Sequence, residues 1–136
     1  MTEVRFEREL PHPVQRVWRA LTDPPEHEQW TGWRSQIDPV VGGRMVTHHG
    51  PGDEQEEVVD EVTRFEPPHV FQHTFWKDAN PSSIVTWELI PLGEAACRLV
   101  LTHEFSPGSV PDQERNATGW ARLVGLLADA LERSAA

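Results

Sequence analysis

The stretch Pro13-Val-Gln-Arg-Val-Trp-Arg-Ala-Leu-Thr-Asp-Pro-Pro-Glu-His-Glu-Gln-Trp30 decides how this chain is read. Proline at the first helical position is preorganised and forfeits no hydrogen bond there, so a short capped helix is expected to open at His12-Pro13. Val14, Val17, Trp18 and Leu21 recur at i, i+3, i+4 and i+7 and form one apolar stripe for a core. Asp23-Pro24-Pro25 ends that helix, Glu26 to Trp30 has the length for one further turn, and Trp30 and Trp33 sit at its exit.

Upstream, Thr2 to Leu10 sets Val4, Phe6 and Leu10 against Arg5, Glu7 and Glu9, the two-residue period of a half-buried strand at or near a sheet edge. Downstream of Ile37 the period is again two, with turn signals at regular intervals, which predicts an antiparallel meander. After Gly42-Gly43 the strands are expected at about Arg44 to His49, Val58 to Phe65, Val70 to Trp76, Ile84 to Ile90 and Cys97 to Phe105. The turns between them are the Gly-, Pro- and acid-rich segment Gly50 to Glu57, the prolines of Glu66-Pro67-Pro68, Lys77 to Ser82 with its Asn80-Pro81, and Leu92-Gly93-Glu94. Ser106 to Pro111 reads as a loop, and Ser109 with Asp112 resembles a capping box with a shorter acid. A long helix follows from Asp112 to Arg133, with Gln113, Ala117, Trp120, Val124, Leu127 and Leu131 on one side. The fold class is therefore α+β, with about seven strands, two short helices after the first, and a long helix at the C-terminus.

Size and charge exclude several functions. A chain of 136 residues makes one domain, residues 1–136, with a single core. Twelve Lys and Arg against 22 Asp and Glu give a net charge of −10, the wrong sign for a nucleic acid or an anionic membrane surface. A single cysteine, Cys97, forms no internal disulfide, and the charged N-terminus lacks the apolar run of a signal peptide, so a cytoplasmic location is expected. Six tryptophans and five phenylalanines stand beside no tyrosine, which supplies flat apolar surface without phenolic hydroxyls.

The order strand, helix, short helix, meander, long helix resembles the helix-grip fold of the START-like, or SRPBCC, superfamily. The pattern of Pro13, Val17-Trp18, Ala20-Leu21-Thr22, Pro24 and Trp30 is similar to that superfamily's opening, and so are Val41-Gly42-Gly43-Arg44 and Glu66-Pro67-Pro68. Ile84-Val85-Thr86-Trp87-Glu88-Leu89, Arg98-Leu99-Val100-Leu101-Thr102-His103 and Gly119-Trp120 with Leu123 and Leu127 complete a likeness to the family named after the activator of the ninety-kilodalton heat-shock-protein ATPase. Asp60 stands where many members of that family carry glycine, a departure that bears on the local strand geometry. The resemblance implies a curved antiparallel sheet around the C-terminal helix, with a cavity between them for an apolar or aromatic ligand. The superfamily includes lipid carriers, polyketide aromatases and cyclases, and co-chaperone domains, so function has to be argued from the site.

The candidate cavity residues are Trp30, Trp33, Met45, Phe75, Trp87, Leu89, Leu99, Leu101, His103, Trp120 and Val124. For any one aromatic at core spacing plain packing is the simpler reading, and one register step decides which strand residues look inward. His103 ends the otherwise apolar face Leu99, Leu101, His103 and is the one catalytic candidate, as an acid or base; a satisfied core histidine is the simpler reading. His48 and His49 point to opposite faces of a strand and cannot share one ion, and no HExxH, CxxC or paired-carboxylate spacing accompanies the seven histidines, so no metal and no cofactor are expected. Asp53 to Glu57 reads as a solvated acidic loop, and Cys97 as a structural thiol.

The expected function is a cytosolic binding protein for a hydrophobic or aromatic small molecule. The alternatives are a cyclase- or aromatase-like enzyme using His103 and a co-chaperone-like interaction with a heat-shock ATPase. Against the latter, the chain has no counterpart to the additional N-terminal domain of the eukaryotic co-chaperones. Homodimerisation through sheet edges or exposed Trp33 and Trp76 is left open by the sequence.

Overall fold

Ten elements build the described residues, 2–49, 56–75, 83–105 and 113–135 of a computed structural model. They are β1 (Thr2–Leu10), α1 (Val14–Thr22), α2 (Pro24–Thr31), β2 (Ser35–Ile37), β3 (Arg44–His49), β4 (Glu56–Glu66), β5 (Val70–Phe75), β6 (Ser83–Pro91), β7 (Cys97–Phe105) and α3 (Gln113–Ala135). All seven strands pair antiparallel in one sheet of order β1-β7-β6-β5-β4-β3-β2, with β1 at one edge, as its alternation predicts, and the three-residue β2 at the other. This is the helix-grip architecture. Glu56 and Glu57, expected in a loop, are exposed residues of β4. The turn at Lys77 to Ser82, the loop after Phe105 and the Ser109–Asp112 box lie outside the described residues.

The opening helices differ from the sequence expectation in an instructive way. Pro13 is the residue before the first turn, extended at φ −60° and ψ 148°, and no side chain caps α1. Asp23 is extended as well, and Pro24 and Pro25 begin α2 instead of only stopping α1. Prolines suit that position because the first turn of a helix has no partner for their missing N–H. The second helix is thus eight residues long and ends at Gly32, whose φ of +77° is open to glycine at little cost. Its extra length swings Trp30 under α1, where the indole N–H donates to the Ala20 carbonyl at 2.7 Å. Arg16 and Arg19 both meet the Glu26 carboxylate and hold the two helices together.

The core lies between the sheet and α3. Trp120, Val124, Leu127, Ala128 and Leu131 face it, whereas Ala117, expected on the same stripe, is exposed. Twenty-three residues give α3 a length of about 35 Å, enough to cross the sheet. Its far end is tied to the start of α1 by a 2.9 Å contact of His12 Nε2 with Glu132 and by Arg16 donating to Ser134 Oγ at 2.8 Å.

In the turn before β3 the two glycines are required for different reasons: Gly42 takes a φ of +86°, and Gly43 has no room for a side chain. A Cβ on Gly43 would stand 2.5 Å from the Asp38 carbonyl oxygen, and the loop is laced to β4 by Gly42 N–H to Val62 O and Val62 N–H to Gly43 O, both 2.8 Å. Asp60 leaves β4 regular, pairing with Met45 of β3; the irregularity falls later, between Val62 and Arg64.

Candidate functional site

Strand alternation places Met45, Thr47 and His49 of β3 on one face, and Phe71, His73 and Phe75 of β5 on the same face. Together with Asp60 of β4 and Trp87 of β6 they form the floor of a cavity. Its roof comes from Leu21 of α1, His27, Trp30 and Thr31 of α2, Trp33, and Trp120 and Leu123 of α3. The space free of atoms is about 470 Å³ when counted out to solvent at the mouth, and about 30 Å³ of it is wide enough for a water centre. A water needs roughly 10–15 Å³ by that measure, so the void takes about two waters as it stands. The apolar part of the wall is aromatic and tilted edge to face: Trp30 meets Trp87 at 6.3 Å, Trp87 meets Trp120 at 5.7 Å and Trp120 meets Phe75 at 5.5 Å. At the rim, Trp33 lies over the His49 ring at 4.0 Å.

Three imidazoles are withdrawn from solvent around this space, and their partners fix their chemistry. An indole N–H can only donate, so the nitrogen it meets must be the acceptor. Trp87 donates to His73 Nε2 at 3.2 Å, which puts the ring proton on Nδ1, where it is given to the Thr74 carbonyl at 2.7 Å. Trp120 donates to His103 Nδ1 at 2.9 Å, so His103 Nε2–H donates to Ser83 Oγ at 2.8 Å and Ser83 in turn donates to the Phe75 carbonyl at 2.9 Å. The Ser83–His103 pair therefore runs in the sense opposite to a nucleophile and its base. Among the described residues His27 makes one side-chain hydrogen bond, Nδ1 with Ser35 Oγ at 3.1 Å. Burial pushes His27 and His103 down to about 4 and His73 down as well, with neighbouring imidazoles adding to the effect on the first two, so all three are neutral near pH 7. His49 is also lowered by burial, against the pull of Asp60 and Glu56. Asp60 accepts from Thr74 Oγ1 at 2.8 Å. Among the described residues no group of three His, Cys, Asp or Glu side chains has the geometry to hold a metal ion, and no helix is long and apolar enough to cross a membrane.

A family model described as "Activator of Hsp90 ATPase homolog 1-like protein" matches residues 11–132. The chain belongs to that family. Among solved structures, this Activator of Hsp90 ATPase homolog 1-like chain is similar to protein MLL2253 from Mesorhizobium loti, with 28% identity, a TM-score of 0.78, and coverage of 97% of this chain and 98% of that one. DynU16, described as a putative protein in the dynemicin biosynthetic locus, is 29% identical at a TM-score of 0.78, over 96% of this chain and 47% of its own. Protein NE0264 from Nitrosomonas europaea, 21% identical over 97% of this chain and 95% of its own, shares the fold at a TM-score of 0.82. No protein with a curated description matches the sequence.

Of the residues singled out from the sequence, this family member brings Trp30, Trp33, Met45, Phe75, Trp87 and Trp120 together on the cavity wall. Leu89, Leu99, Leu101, His103 and Val124 lie outside that wall, fully buried in the core where β6 and β7 pass beneath α3. Trp33 is half-buried against His49, and Trp76 is outside the described residues. Cys97 is buried at the start of β7, and burial pushes its thiol pKa up, away from reactivity. The polar lining, His27, Thr31, Thr47, His49, Asp60 and His73, is not among the cavity residues expected from sequence, where His49 figures only in the metal reading and Asp60 only in the strand geometry. Extending the two-residue register from Met45 and Phe75 finds Thr47, His49 and His73, and starting α2 at Pro24 puts His27 one turn before Trp30 and Thr31.

Proposed function

We propose that this chain binds an apolar, aromatic small molecule between α3 and the inner face of the sheet. The observation that supports this reading is the convergence of four of the six tryptophans, Trp30, Trp33, Trp87 and Trp120, with Phe71 and Phe75 on one cavity that also carries a few polar groups. Ligand sites combine those two ingredients. An occupant larger than two waters has to displace side chains, and the large apolar lining residues Trp33, Phe75 and Leu123 are half-buried, with room to move outward. A reducing, cytoplasmic setting suits the single free thiol.

A cyclase- or aromatase-like role needs a group that moves a proton at the bound molecule. His103 stands behind the wall with both nitrogens engaged, which favours binding over turnover. A co-chaperone-like contact rests on the family's name alone.

Native mass spectrometry and intrinsic fluorescence against a library of hydrophobic metabolites test the binding reading. One small molecule per chain is expected, accompanied by a change in tryptophan emission for aromatic members. A chain that takes up none of them at millimolar concentration overturns it.

A further inference from the structure

Among the described residues three buried imidazoles lie at or behind the cavity wall, and one of them has a nitrogen with no hydrogen-bond partner there. His73 and His103 each accept from an indole and donate onward, so neither can pair with a ligand without breaking an internal bond. His27 is as deeply buried, at 6% exposure, and it forms part of the wall, yet its hydrogen bonding among the described residues stops at Nδ1 with Ser35. A polar atom on the wall that has no protein partner is left to water, and a ligand that supplies a partner there takes the place of that water. Ser35 Oγ has no other bond among the described residues, so its hydroxyl can turn either way, and the His27 Nε2 that remains can serve as donor or acceptor.

The charge of the wall narrows the class further. The described lining residues include the Asp60 carboxylate and three histidines, with no lysine or arginine. An ionised carboxylate or phosphate would meet no lysine or arginine among the described lining residues. We infer that His27 Nε2 is the polar anchor of the cavity and that the preferred ligand is an uncharged aromatic carrying a hydroxyl, which can pair with either tautomer of the ring. This inference rests on the binding reading above and adds to it the chemistry of the ligand's polar group and the residue that selects it.

Three molecules of one ring system separate the parts: naphthalene, 2-naphthol and 2-naphthoate, titrated at pH 7.5 by tryptophan fluorescence and calorimetry. Wild type is expected to bind 2-naphthol about fivefold more tightly than naphthalene, the gain of one neutral hydrogen bond in a desolvated site. The 2-naphthoate ion is expected to bind more weakly than 2-naphthol. In His27→Leu the order of the first two reverses, because the hydroxyl then loses its water for no partner; His27→Gln, which keeps a donor and an acceptor, retains a preference for the hydroxyl. Naphthalene binding wild type as tightly as 2-naphthol overturns the anchor and needs no variant to show it. A preference for 2-naphthol that survives in folded His27→Leu overturns the assignment to His27, and tighter binding of 2-naphthoate overturns the requirement for a neutral ligand. Failure of all three to bind overturns the binding reading itself, and this inference with it.

Discussion

Trp120→Ala is expected to lower the folding stability by about 3–5 kcal/mol, read from urea denaturation at pH 7.5. The side chain is 6% exposed, stands edge-on to Trp87 at 5.7 Å and over Phe75 at 5.5 Å, and joins the one helix that spans the sheet to the cavity wall. Its removal deletes a large apolar group and strips His103 Nδ1 of the donor that sets its tautomer. Trp120→Phe separates the two effects. It keeps most of the ring volume and loses the hydrogen bond, so a loss of about 1–2 kcal/mol is expected. Equal losses in the two variants would mean that the indole N–H, and not the packing, holds α3 against the sheet.

The second large effect is acid sensitivity. His27 and His103 sit near 4 in the folded chain against an ordinary 6.5, and His73 is lowered too. A lowered folded-state value means that the unfolded chain takes up protons the folded chain refuses, so stability is full above about pH 6.5 and falls as the pH drops through 6 and 5. For His27 and His103 the decline ends once the folded rings protonate, near 4. For His27 alone the gap weighs on the order of 3 kcal/mol, and the others act in the same direction. That is a large share of the roughly 5–15 kcal/mol typical of a domain. Thermal melts by circular dichroism from pH 8 to pH 4 should therefore show little change down to about 6.5 and a steep fall below it. His103→Asn, which removes the titrating group, should flatten part of the slope; a slope unchanged in that variant would place the acid response elsewhere.

Much of the fold is legible in the chain because its patterns are long and of one period. Nine residues of alternation in β1 and nine in β7 each define a strand, and the repeat through Trp120, Val124, Leu127 and Leu131 defines α3. The start of α2 was harder to read because Asp23-Pro24-Pro25 is both a stop for one helix and a start for the next, and only the positions of the flanking backbone distinguish them. The three-residue β2 is too short to show any period. The wall is legible where a large apolar side chain marks it, at Trp30, Trp33, Met45, Phe75, Trp87 and Trp120. Leu89, Leu99 and Leu101 are fully buried in the core but lie outside the cavity wall, and alternation reports the face of a residue without reporting what lies above it. His27 could not be read because a histidine in a polar helix looks the same whether or not its second nitrogen finds a partner.

The claim that the space between α3 and the sheet opens to an aromatic molecule is tested most directly by nuclear magnetic resonance. In protein labelled with ¹⁵N at tryptophan, each indole N–H is a separate reporter, assignable by single Trp→Phe changes, and Trp18 is the reference because it is not on the wall and reaches it only through its ring contacts with Phe65 and the lining residue Phe71. Titration with 2-naphthol is predicted to shift the signals of Trp30, Trp33, Trp87 and Trp120 together along one saturable curve and to move Trp18 least. Signals of the four that stay fixed at saturating 2-naphthol, or that move no more than Trp18, would contradict it.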